Sequence, residues 1–94
     1  MANRKHEPHI MTFEEIRQFN YEDTVYVEYR LTDKVIGGIV LQMYKYKDTD
    51  EIKRIDIGHG VNRIACLPMK DYNIDFRFWI IKPTDEQREK TKWN

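Results

Sequence analysis

The alternation of apolar and polar positions divides the chain into short period-two stretches joined by turn residues. From Ile74 to Ile81, Ile74, Phe76, Phe78 and Ile80 fall on one face and Asp75, Arg77, Trp79 and Ile81 on the other, the pattern of a half-buried strand. Lys82-Pro83 ends it, because proline has no N–H for the ladder and holds its predecessor extended. Thr24 to Leu31 alternates in the same way, with Val25, Val27, Tyr29 and Leu31 opposed to Thr24, Tyr26, Glu28 and Arg30. After the turn Thr32-Asp33-Lys34 an apolar run extends from Val35 to Tyr46, and its Gly37-Gly38 pair predicts a bulge or bend. Lys47-Asp48-Thr49-Asp50, Gly58-His59-Gly60 and Pro68 then delimit two further strands, Ile52 to Ile57 and Val61 to Leu67.

Helical signals flank these strands. Thr12-Phe13-Glu14-Glu15 is a capping box, with Met11 and Ile16 placed as a hydrophobic staple, Phe13, Ile16 and Phe19 at helical spacing, and Asn20 as the expected stop. Thr84-Asp85-Glu86-Gln87 is a second capping box. Residues 85–92 contain no apolar side chain, so this last helix cannot dock through an amphipathic face and Trp93 is its expected anchor. The fold class predicted is α+β: a small five-stranded, strongly bent sheet or SH3-like barrel with a short N-terminal helix and a short C-terminal helical turn.

A chain of 94 residues supports one core, expected over residues 11–94, with Met1–Ile10 a flexible N-terminal extension and Met11 a second candidate start. Sixteen basic and sixteen acidic residues cancel, so no global field draws in phosphate backbones and nucleic-acid binding is disfavoured. Cys66 is the only cysteine, which excludes an internal disulfide and predicts a small buried thiol. No apolar run approaches the ~20 residues that span a bilayer. The N-terminus lacks the apolar core of a secretory signal, and the expected location is the cytoplasm.

His59 between two glycines would expose an imidazole able to serve as an acid, base or ligand. No second group is fixed beside it by spacing, so it reads first as a turn residue and a small enzyme built around it is disfavoured. His6 and His9, with Glu7 between, lack the third and fourth ligands of a zinc site, and no metal or cofactor is expected. Tyr44-Lys45-Tyr46-Lys47 alternates aromatic and basic positions and, with Tyr26, Arg30, Arg54 and Arg63, would make a base-stacking surface. The competing explanation is lysines guarding an edge strand and tyrosines filling a small barrel. Trp79 is expected in the core.

Trp79-Ile80-Ile81-Lys82-Pro83-Thr84-Asp85-Glu86-Gln87-Arg88-Glu89, closed by Trp93 and led by Phe76-Arg77-Phe78, resembles the C-terminal signature of small uncharacterised proteins of Firmicutes phages and prophages. Met11-Thr12-Phe13-Glu14-Glu15-Ile16 and the strand Val25 to Arg30 resemble that family's opening, whereas Leu31 to Met69 departs from it. The resemblance implies a non-catalytic binding module acting on a host bacterial protein or small ligand, with counter-defence inhibition as a candidate role, and it carries over no catalytic residue. The alternative is a nucleic-acid-binding small barrel. The candidate contact residues are Tyr26, Arg30, Tyr44, Lys45, Tyr46, Lys47, His59, Arg77 and Trp93.

Overall fold

The computed structural model describes residues 8–60 and 62–94. Helix α1 (Phe13–Arg17) is followed by strands β1 (Thr24–Tyr29), β2 (Val35–Lys45), β3 (Ile52–His59) and β4 (Asn62–Pro68). A 3-10 turn over Met69–Asp71 leads to β5 (Phe76–Trp79), and helix α2 (Asp85–Lys90) comes last. The strands form one antiparallel sheet in the order β4-β3-β2-β1-β5. Strands β4 and β5 are its two ends and do not pair with each other, so the sheet is open and the closed form of a barrel is not reached.

Strand β2 is long because its halves serve different neighbours: Val35–Ile39 pairs with β1 and Ile39–Lys45 with β3, with a register shift between Val40 and Gln42. The Gly37-Gly38 pair lies in the first half. A Cβ on Gly38 would stand 2.7 Å from Ile57 Cγ2, so the glycine permits close packing of the core there. Gly60, at φ +58°, turns the chain between β3 and β4.

Both capping boxes form as the spacing predicts. Thr12 Oγ1 accepts from the Glu15 N–H and the Glu15 carboxylate accepts from the Thr12 N–H, and Thr84 and Gln87 repeat the exchange. The first helix ends at Arg17, earlier than an Asn20 stop would give; the Asn20 N–H instead donates to Asp23 Oδ2. Ile16, Met11, Phe19, Met69 and Tyr72 close over Val25, Val27, Val40, Ile55, Ile57, Leu67, Phe76 and Phe78 in one core. The Tyr72 hydroxyl donates to the Met11 carbonyl at 2.5 Å and accepts from the Phe78 N–H, and burial pushes its pKa up.

Three expectations are corrected. The strand predicted over Ile74–Ile81 is confined to Phe76–Trp79 and is buried on both faces, because further chain covers the Arg77 and Trp79 side. Cys66 is exposed, since pairing opposite Asp56 places it on the face of the sheet away from the core. The ordered body also reaches back past residue 11: Ile10 bridges to Trp79 and the Met11 N–H donates to the Phe78 carbonyl. His6 and Glu7 lie outside the described residues. No helix among the described residues is long and apolar enough to cross a membrane.

Candidate functional site

The face of the sheet away from the core carries two arginine–carboxylate clusters, and a cleft opens beside α1. The first cluster centres on Glu28, which β1 directs away from Val25 and Val27. Its register partner in β5 is Arg77. Glu28 Oε1 accepts from Arg77 Nε at 2.8 Å and from Trp79 Nε1 at 2.7 Å, while Oε2 accepts from Arg88 Nε at 3.1 Å. Burial pushes the Glu28 carboxyl up, but these three donors outweigh it and hold it below the usual carboxylate range.

Arg77, with none of its surface exposed, also donates from Nη1 to the Thr91 carbonyl at 3.0 Å and from Nη2 to the Arg88 carbonyl at 3.1 Å. It thereby satisfies carbonyls at the end of α2 that the helix itself leaves unpaired. The Trp93 ring lies 4.1 Å from the same guanidinium and the Trp79 ring 5.4 Å, a pair of cation–π contacts. Arg88 reaches on to Asp33 at 2.5 Å. The all-polar helix therefore docks through Arg88 and its own backbone carbonyls as well as through Trp93, which corrects the expectation of a lone tryptophan anchor. Arg30 donates to the Ile74 and Asn94 carbonyls at 3.1 and 3.3 Å and faces Trp93 at 5.6 Å.

The second cluster lies on the β2–β3–β4 half, which no helix among the described residues covers. Asp56 is fully buried on this outer side of β3, between Gln42 of β2 and Cys66 of β4. Arg63 Nε stands 3.1 Å from its Oδ2, and Arg54 approaches both oxygens at 3.1 and 3.4 Å. Tyr44, the register partner of Arg54, places its ring 4.2 Å from that guanidinium. Both arginine side chains remain about half exposed, at 42% and 55%.

The cleft has a volume of about 340 Å³. Ile16, Ile52 and Met69 form its buried floor, Phe13 and Tyr46 are its exposed aromatic walls, and Arg17, Glu51 and Lys70 add charge.

The predicted contact residues are thus divided. Arg30, Arg77 and Trp93 come together in the first cluster, where Arg77 is internal and presents no surface to a partner. Tyr44 belongs to the second cluster, Tyr46 to the cleft, and Tyr26 covers Gly37, its ring within 3.0 Å of where a Cβ would stand. Lys45 and Lys47 are exposed at and just beyond the end of β2, and His59 is exposed at the end of β3. Glu28, Asp56 and Arg88 organise the two clusters without having been singled out in sequence. The available signal was Glu28 and Asp56 at strand positions where a polar residue alternates with core residues on either side. Among the described residues no group of three or more His, Cys, Asp or Glu is arranged to hold a metal. No protein-family model, curated protein or solved structure matches the chain.

Proposed function

We propose that this chain is a non-catalytic binding module of the phage or prophage type, and that its Phe13–Tyr46 cleft receives an apolar side chain of a host protein. The observation that carries this reading is the exposure of Phe13 and Tyr46, at 54% and 45%, across a concave floor of buried Ile16, Ile52 and Met69. Exposed aromatics over a concave apolar floor are the usual anchor points of protein interfaces. We read the strand order, with its 3-10 turn between β4 and β5, as the connectivity of an SH3-like barrel left open on one side; this is an analogy of fold alone. The phage origin rests on the resemblance of the Trp79–Trp93 segment. Counter-defence is the role within it that a host-protein target would serve.

The nucleic-acid reading has less support. Its two tyrosines part company, with Tyr44 stacked on Arg54 and Tyr46 walling the cleft. Arg54 and Arg63 turn toward Asp56, and Arg30 toward backbone carbonyls, so these arginines do not make a continuous basic track for a phosphate backbone among the described residues.

Affinity capture from bacterial host lysate, with and without nuclease, tests the reading. A protein should be retained after nuclease treatment by the parent chain and lost with Tyr46→Ala, whose surface position keeps its stability cost within roughly 0.5 kcal/mol. Retention that depends on nucleic acid, or that ignores Tyr46→Ala and Phe13→Ala alike, overturns it.

A further inference from the structure

The Arg54–Asp56–Arg63 cluster shares no residue with the cleft. Its charge does not close: two guanidiniums face one carboxylate, and among the described residues no other acidic side chain pairs with either. Its hydrogen bonding does not close either. Arg54 Nε and Asp56 Oδ1 approach at 3.1 Å without forming a hydrogen bond, so Arg54 is held by a long Nη2 bond of 3.4 Å and by charge. Arg63 approaches Asp56 through Nε, and its side chain is 55% exposed. The guanidiniums approach Asp56 from β3 and β4, and the Tyr44 ring steadies one of them.

The Glu28 cluster shows what such an arrangement accepts. There the arginine on the sheet, Arg77, spends its remaining N–H groups on acceptors brought by another segment, the carbonyls of Arg88 and Thr91. The cluster at Asp56 has the arginines, the buried carboxylate and the aromatic ring, and among the described residues both of its arginine side chains stay about half exposed.

We infer that Arg54 and Arg63 form a carboxylate-binding site that takes an acidic side chain of a partner protein, with Asp56 as the positioning residue that holds the two forks side by side. One added carboxylate brings the local charge to zero. A planar carboxylate also matches the fork geometry of a guanidinium. The site is a point and not a track, since Arg30 and Arg77 on the same face are committed to the Glu28 cluster, and this favours a protein carboxylate over a phosphate chain.

The test is titration of the folded chain, observed through the Arg side-chain Nε–H signals by NMR, with hexaglutamate as probe and a thymidine hexanucleotide and inorganic phosphate as comparison arms. Hexaglutamate should shift the Arg54 and Arg63 signals saturably and bind more tightly than either comparison. Arg63→Gln should weaken it about tenfold, the loss expected for a charge-assisted hydrogen bond, and Arg63→Lys should recover only part because it restores charge without the fork. Asp56→Asn should weaken it too, while an unchanged amide spectrum shows that the sheet persists. Equal or tighter binding of the hexanucleotide or of phosphate overturns the inference in favour of a phosphate site. Absence of a saturable shift, or affinity indifferent to both Arg54→Gln and Arg63→Gln, overturns it outright.

Discussion

Glu28 and Asp56 occupy the same face of one sheet, both are buried, and each gathers two arginines, with two indole rings beside the Glu28 pair and one tyrosine ring beside the Asp56 pair. Around Glu28 the arginines are themselves enclosed, with Arg77 fully buried and Arg88 nearly so, because α2 brings Arg88 down onto the carboxylate and Trp93 lies against Arg77. Around Asp56 the arginines are open to water. The difference lies in what happens to the cations when the anion is removed. At Glu28 they would be stranded in a medium that cannot solvate them, whereas at Asp56 they can rehydrate in place. The enclosed cluster is therefore part of the stability of the domain, and the open one is free to serve a ligand.

The largest effect should come from dismantling the enclosed cluster. Trp79→Ala removes a buried indole together with a donor to Glu28 and should cost about 3–5 kcal/mol, a large part of the ~5–10 kcal/mol available to a domain of this size. Glu28→Gln should cost about 3 kcal/mol by stranding Arg77, against about 1–2 kcal/mol for Asp56→Asn, both read from urea unfolding. Equal losses at the two carboxylates would break the comparison.

A pH series sharpens it. The Glu28 carboxyl is depressed in the folded state, so its contribution is fully present above the unfolded-state value near ~4.3 and is lost as pH falls through the folded value. The stability gap between parent and Glu28→Gln should accordingly narrow on acidification below about pH 4.5, with a slope of at most about 1.4 kcal/mol per pH unit. A gap that stays constant to pH 2 would show that Glu28 acts by packing alone.

Trp93→Ala should cost less, about 1–2 kcal/mol, through loss of the Arg77 contact. Amide exchange should accelerate at residues 84–94 and leave β1 to β3 protected. At the lower end, Arg63→Gln should change global stability by under ~0.5 kcal/mol, because one half-exposed ion pair contributes little.

The parts of this fold that were legible in sequence are those fixed by neighbours along the chain. Both capping boxes depend on residues three apart, and the first-strand alternation of Val25 and Val27 with Tyr26 and Glu28 separates the core face from the outer one. The docking of α2 was not legible, since the groups that Arg77 binds are main-chain carbonyls carried by every residue. Periodicity also equates polar with solvent-facing, and so it hid Glu28 and Asp56: the arginines at Glu28 come from β5 and α2, and one of the two at Asp56 from β4. The exposure of Cys66 follows from β3–β4 pairing, whose register shifts between Ile57 and Gly58. Arg77 is enclosed for the same reason as Glu28, while Tyr46 stands beside a cleft whose opposite wall, Phe13, comes from a different element.

The placement of β5 beside β1 has a consequence for the order of assembly. Strands β1 to β4 follow one another as successive hairpins, but the Glu28 cluster joins Arg77 and Trp79 to a residue 49 and 51 positions earlier, and Tyr72 meets Met11 across 61 positions. Closing such long loops costs chain entropy before the contacts repay it. The meander should therefore form first, and the fifth strand with its arginine, indoles and polar helix should lock on after the rate-limiting barrier. Mutations there would then be felt as faster unfolding with little change in folding rate, which makes the enclosed cluster the clasp that sets the lifetime of the native chain.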